Sequence, residues 1–217
     1  MPVFYNDDLC YLHIPKCGGL SVTAAARGNL PGYTEPGVKR KWLEPGKPIG
    51  HIRAADFERF VGRSLNTFEL VFATIRPPID CEWSKWNFWR NRYYRDGRCV
   101  AWRHPADAWC WQHTFAEYIE RGVEPFNDWY AEKIAPWSAT DYNITGRFNW
   151  WLADNVKRVD IKNEDRINEI LSKYCGKQIK LDHLHRTGTG RPSCGPETQK
   201  QIEAQYGIDE VAVTAVD

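Results

Sequence analysis

The sequence predicts an α/β fold, a single domain over residues 1–217 with a central, mainly parallel sheet flanked by helices on both faces. Three observations lead there. Residues 9–14 and 68–75 are apolar runs of strand length, the composition of strands buried on both faces. A proline or glycine break follows each run, and helical spacing resumes after it. Residues 156–176 repeat the strand-to-helix passage late in the chain, and strands that alternate with helices pair in parallel. A chain of 217 residues is long enough for one well-filled core.

Composition narrows the function classes. A formal charge of +1 gives no global field to recruit nucleic acid, so an anion must be met by local clusters. No window approaches the roughly 18 apolar residues of a membrane span. Asp7 and Asp8 stand where a signal peptide needs basic residues before an apolar core. The expectation is a soluble, cytoplasmic chain without a membrane segment. Seven cysteines, odd in number and without C-x-x-C spacing, argue for reduced thiols and against a zinc site. Cys99 and Cys110 are the pair that an oxidising compartment would join.

The first element organises the rest. Leu9-Cys10-Tyr11-Leu12-His13-Ile14 reads as a strand that Pro15 stops, and Lys16-Cys17-Gly18-Gly19-Leu20-Ser21-Val22 follows. Gly18 and Gly19 permit a tight turn and close backbone approach. Ser21 is placed to cap the helix that Ala24, Ala25 and Ala26 continue. Such a strand–turn–helix gathers backbone N–H groups and the positive end of a helix dipole at one spot. Lys16 adds a full charge, which suits a phosphate or a sulfate. The pattern is not Walker A, because the lysine precedes the glycines.

Residues 13–21, His-Ile-Pro-Lys-Cys-Gly-Gly-Leu-Ser, resemble the opening signature of the carbohydrate-type, family 2-like sulfotransferases, commonly written His-Ile-Pro-Lys-Thr-Gly-Gly-Thr-Ser. The resemblance implies a P-loop-like loop that grips the 5′-phosphosulfate of 3′-phosphoadenosine 5′-phosphosulfate (PAPS) through Lys16, Cys17, Gly18, Gly19, Leu20 and Ser21. Leu20 stands where a threonine is usual, which removes one hydroxyl contact and leaves the amides and Ser21.

After this helix, residues 28–47 are rich in Pro and Gly and read as a surface loop, with Lys39-Arg40-Lys41 as a solvated turn. Phe57, Phe60 and Val61 then fall at i, i+3 and i+4, an amphipathic helix. His51 lies in Pro48-Ile49-Gly50-His51-Ile52-Arg53, where a short strand ends and that helix is about to begin, the sheet edge at which α/β folds bind ligands. A lone histidine there is more often structural. The Gly-His before a helix is also similar to the sulfotransferase family, which implies that His51 removes the proton of the acceptor hydroxyl. An alcohol is a poor nucleophile near neutral pH, and imidazole titrates in the right range. His13 is the rival, with the role of orienting the loop.

Residues 68–75 form the clearest strand, with Arg76 at its carboxyl end. Pro77 and Pro78 open the next helix, which holds Ser84. Arg76 and Ser84, eight positions apart, look like the family's second signature, an Arg-[Asn/Asp]-Pro turn with a later serine. That resemblance implies the 3′-phosphate of PAPS as their ligand, and a guanidinium grips phosphate oxygens with two hydrogen bonds. Pro77 replaces the usual Asn or Asp.

Residues 81–113 crowd Trp83, Trp86, Trp89, Trp102, Trp109 and Trp111 among Lys85, Arg90, Arg92, Arg95, Arg98 and Arg103. Trp83, Trp86 and Trp89 fit one helix, and Asp96-Gly97-Arg98 must turn. The plain reading is core and rim; the sharper one is an acceptor-binding wall that stacks on sugar rings and holds anions. Interleaved basic and aromatic residues also suit single-stranded nucleic acid, which the near-neutral total charge disfavours.

Phe115, Tyr118 and Ile119 mark a helix ending near Gly122, and Trp129, Tyr130 and Ile134 mark another before Pro136. Residues 156–161 are a strand. Asn163 caps a helix whose apolar face is Ile167, Ile170, Leu171 and Tyr174, and Gly176 closes it. The tail also resembles the family's end: a basic glycine loop, with Gly188, Gly190 and Arg186 or Arg191 toward the nucleotide, then a helix from Pro196 to Tyr206-Gly207-Ile208-Asp209. His183 and His185 lack a third metal ligand in reach.

The resemblance therefore implies an enzyme that moves a sulfuryl group in line from PAPS to a hydroxyl or amine of a carbohydrate or small molecule. Lys16 and His51 would carry the chemistry, and no metal would be required. The expected partners are the nucleotide donor and the acceptor, with no nucleic acid. Two rivals stay open. One is a non-catalytic nucleotide- or glycan-binding protein on the same fold; the other is a nucleotide-dependent phosphotransferase, which needs Mg²⁺ and a carboxylate to hold it.

Overall fold

The computed structural model describes residues 3–35, 51–95, 98–99, 105–121, 148–182 and 194–206. In chain order the elements are β1 (Phe4–Tyr5), β2 (Leu9–Tyr11), α1 (Gly19–Ala26), α2 (Ala54–Val61), β3 (Leu70–Ile75), α3 (Pro78–Tyr93), β4 (Tyr94–Arg95), β5 (Arg98–Cys99), α4 (Pro105–Gln112), α5 (Phe115–Arg121), β6 (Lys157–Asp160), α6 (Glu164–Cys175) and α7 (Pro196–Tyr206). The chain divides into two compact units, residues 1–76 with 148–186 and 213–217, and residues 77–147 with 187–212.

The first unit is α/β. Its four-stranded sheet has the order β1-β2-β3-β6. β2 runs parallel to β3, with Leu9 beside Leu70, and β3 runs parallel to β6, with Ile75 beside Asp160. β1 is antiparallel to β2, so the sheet is mixed and the glycine turn follows its second strand rather than its first. Regular pairing covers only Leu9–Tyr11 of the predicted run of residues 9–14. The Leu12 N–H still donates to Phe72 O at 2.9 Å, and the chain then leaves the ladder ahead of Pro15.

Both faces carry helices. Phe4, Leu9, Tyr11, Phe72 and Val159 pack with Val22 and Ala26 of α1 and with Ile167, Ile170 and Leu171 of α6 in one core. Tyr5 follows Phe4 and so points to the opposite face. There it meets Phe57 of α2, ring centroids 6.2 Å apart and edge-on. Phe57 is fully buried there, while Phe60 and Val61 remain half-exposed. β3 is central and buried from Val71 to Ile75, as its apolar run requires. The cap at Asn163 is present, its Oδ1 accepting from Arg166 N at 3.1 Å, and Gly176 ends α6 with a left-handed φ of 66°.

The second unit is helical with one small hairpin. Pro78 opens α3, which places Trp83, Trp86 and Trp89 on one helix. β4 and β5 pair antiparallel, with Tyr94 beside Cys99, and Asp96-Gly97 of the expected turn lie outside the described residues. Thr114 and Glu117 form a reciprocal cap on α5: Glu117 Oε2 accepts from Thr114 N at 2.7 Å, and Thr114 Oγ1 accepts from Glu117 N at 3.3 Å. Trp86, Trp89, Phe115, Tyr118, Ile119, Ile202 and Tyr206 are buried here. Among them lies a buried charged pair. Glu82 accepts from Lys85 Nζ at 3.0 Å, from Tyr118 OH at 3.0 Å and, in a short bond, from Tyr206 OH. Cys110 is buried, and the side chain of Cys99 lies outside the described residues.

Among the described residues no helix is long and apolar enough to cross a membrane. The basic triplet Lys39-Arg40-Lys41, the strand before His51, Trp102, Arg103, the helix around Trp129, His183, His185 and the residues after Tyr206 lie outside the described residues.

Candidate functional site

Residues 15–18 leave the carboxyl edge of the parallel strands and enter α1. Lys16 takes a left-handed φ of 65°, the sole positive φ of a non-glycine among the described residues. That conformation costs an L-residue roughly 1–2 kcal/mol and persists only where its surroundings enforce it. Three constraints are visible. Gly18 (φ 79°) sits over Ile161, where an added Cβ would come within 2.5 Å of Ile161 Cδ1. Gly19 lies against the ring of His13, where a Cβ would fall 1.9 Å from His13 Cδ2. The Cys17 carbonyl accepts a 2.6 Å hydrogen bond from Thr74 Oγ1 on β3. Both glycines are therefore required by close approach, one of them also by its backbone angle.

The helix begins one turn earlier than the capping argument placed it. Gly18 is the N-cap and no side chain caps the helix, so Ser21 lies inside the first turn, its N–H donating to Gly18 O at 3.1 Å. The amides ahead of Ser21 at the opening of the helix have no intrahelical acceptor. Ser21, half-buried, instead lines a groove of about 370 Å³ with Ala24, Ala25 and Asn29, faced by Lys177, Lys180 and Asp182. Lys16 and Leu20 are half-buried, while Cys17 is fully buried.

His51 is brought against this turn. Its Nδ1 lies 2.9 Å from the backbone carbonyl of His13. A carbonyl only accepts, so Nδ1 carries the proton and the neutral ring keeps its lone pair at Nε2. The imidazole is 4.5 Å from that of His13 and meets Trp151 edge-on at 6.0 Å. Burial first, then the neighbouring His13 and Lys16, hold its pKa well below the ordinary 6.5. The segment after it is firmly anchored. Ala54 N–H donates to Trp151 O at 2.9 Å, and the buried Arg53 pairs with Asp56 at 2.8 Å while lying over the Trp150 ring at 4.4 Å.

Arg76 directly follows β3, half-buried, at the same carboxyl edge as the glycine turn because β2 and β3 are parallel. Ser84 lies buried in α3 of the second unit. Arg186 and Arg191 lie outside the described residues. In the Trp/Arg-rich segment Trp86 and Trp89 are buried, whereas Trp111 is 39% exposed. Arg90 lies over Trp86 at 4.9 Å and over Trp111 at 5.5 Å, and Arg121 over Trp109 at 4.4 Å.

Four residues that hold the site gave little sign of it beforehand. Thr74 is the lone hydroxyl in an apolar strand, the one visible hint. Tyr11 reads as core, and Ile161 and Trp151 stand far along the chain from the groups they support. Chemically, the arrangement joins a cation, a turn of backbone amides and a neutral imidazole at one sheet edge. Among the described residues no group of three His, Cys, Asp or Glu side chains is placed to hold a metal ion. Compared with protein-family models, curated proteins and solved structures, the chain matches none.

Proposed function

We propose that this protein is a sulfotransferase that moves a sulfuryl group from PAPS to a hydroxyl or amine of a carbohydrate or small-molecule acceptor. The reading rests on the signature resemblance of residues 13–21 and on one geometric observation. His51, neutral and with its lone pair at Nε2, stands beside a turn that carries Lys16 and the first amides of α1.

In this reading the amides of residues 18–20 hold the 5′-phosphate, with Gly18 and Gly19 letting the backbone come close. Lys16 neutralises the charge that builds on the bridging oxygen as the sulfur–oxygen bond breaks. His51 takes the acceptor proton at Nε2 while the acceptor oxygen forms the new bond to sulfur, and adenosine 3′,5′-bisphosphate leaves. Arg76, at the same sheet edge as the turn, grips the 3′-phosphate through its guanidinium. The logic is that of phosphoryl transfer, in which positioning and charge stabilisation supply most of the acceleration.

The test has two stages. Thermal-shift titration compares adenosine 3′,5′-bisphosphate, adenosine 5′-monophosphate and ATP–Mg²⁺; the bisphosphate should stabilise most, and Arg76→Ala should erase its advantage over the monophosphate. Labelled PAPS is then offered with panels of glycans, small alcohols and tyrosyl peptides. Stabilisation by ATP–Mg²⁺ alone would transfer the assignment to phosphotransfer. Tight bisphosphate binding with no transfer to any acceptor class would leave a binding protein.

A further inference from the structure

We infer that Thr74 is a positioning residue for the glycine turn: its hydroxyl fixes the Cys17–Gly18 peptide so that the Gly18 N–H faces a bound oxyanion. This rests on the reading of the turn as an oxyanion site. Thr74 is fully buried on β3 and reaches out of the sheet to the Cys17 carbonyl at 2.6 Å. A hydroxyl has one proton, and a carbonyl can only accept it. The 2.7 Å contact between Thr74 Oγ1 and Tyr11 OH must therefore have Tyr11 as donor. A directed chain results, from Tyr11 OH to Thr74 Oγ1 and from Thr74 to the Cys17 carbonyl, each bond polarising the next.

The consequence follows from peptide geometry. In a planar trans peptide the C=O and the N–H point in opposite directions. Holding the Cys17 oxygen on β3 therefore turns the Gly18 N–H away from the sheet interior. Among the described residues that N–H meets no acceptor. Lys16, just ahead of Cys17, holds a left-handed φ that strains an L-residue, so the turn is in need of an outside anchor. Ile161 and the His13 ring block bulk beneath the glycines, but neither fixes which way a peptide plane faces. Thr74 does.

The experiment follows the Gly18 amide by nuclear magnetic resonance during titration with sodium sulfate, and measures the Kd for adenosine 3′,5′-bisphosphate. The wild type and Thr74→Ser should show a sulfate-dependent Gly18 shift and the same Kd. Thr74→Val, of nearly equal volume, should lose the Gly18 response and bind the bisphosphate roughly tenfold more weakly, the loss expected for one hydrogen bond to a charged group. Should the orphaned Tyr11 hydroxyl prevent that variant from folding, Tyr11→Phe/Thr74→Val removes both hydroxyls and carries the same expectation. A valine variant that keeps the Gly18 response and the wild-type Kd overturns the inference, as does a wild type whose Gly18 ignores sulfate. If Gly18 responds to sulfate while the bisphosphate fails to bind, Thr74 keeps its role and the nucleotide reading falls alone.

Discussion

His13 and His51 are joined twice: the Nδ1–H of His51 donates to the His13 backbone carbonyl at 2.9 Å, and their rings lie 4.5 Å apart. The same His13 ring fills the space under Gly19. One residue thus sets the tautomer of the proposed base and the floor of the turn that carries Lys16.

Replacing His51 with alanine should lower transfer by roughly 10²–10⁴-fold, the worth of a positioned base, with nucleotide affinity unchanged. The working form is the neutral ring, and its pKa lies below the ordinary 6.5. The acid limb of kcat/KM should therefore fall below pH 6.5. Stability has the same sign. The unfolded chain binds this proton near 6.5 and the folded chain only at lower pH, so folding weakens as pH drops below about 6.5. A pH–rate profile and urea melts at pH 5 and 7 check both.

Lys16→Ala should cut turnover by roughly 10²–10³-fold, the scale of one lost transition-state donor. Because Lys16 has a φ of 65°, alanine inherits the backbone strain and glycine does not. Lys16→Gly should be more stable than Lys16→Ala by about 1 kcal/mol while equally inactive. Urea denaturation of the two variants beside their turnover separates strain from charge.

Gly19→Ala drives a Cβ to 1.9 Å from His13 Cδ2 and 2.1 Å from Nε2. The ring must move, and overpacking of this kind costs roughly 1–3 kcal/mol. Activity should fall further than stability explains, since a displaced His13 moves the acceptor of the His51 Nδ1–H. Calorimetry beside turnover of the still-folded fraction is the check.

Lys85→Ala should destabilise the second unit by roughly 3–5 kcal/mol, because it removes the buried cation paired with Glu82. Lys85→Met/Glu82→Leu should recover most of that loss. Unfolding followed by tryptophan fluorescence reads it directly, given Trp86 and Trp89 in the same core.

Local patterning was legible in the chain because it needs only near neighbours. The apolar run before Arg76 gave the central strand; Asn163 and Gly176 gave both ends of α6. The glycine turn was legible as a turn. Its support was not, since Thr74, Trp151 and Ile161 reach it through tertiary pairing that no local window contains. Ser21 misled for a related reason. A serine just ahead of an alanine run looks like a cap, but the left-handed Gly18 had already taken that position. The antiparallel β1 has two residues, too few for any periodicity to register.

The placement of Ile161 under Gly18 has a consequence for how the protein is made. β6 pairs with β3 in parallel, and the whole of residues 77–147 lies between them in the chain. Pairing across so long a separation is slow, and during synthesis it must wait for late residues to emerge. A nascent chain ending before Trp151 has its lysine turn but lacks Ile161 beneath Gly18 and Trp151 beside His51, so anion binding should switch on abruptly when residues 151–161 leave the ribosome.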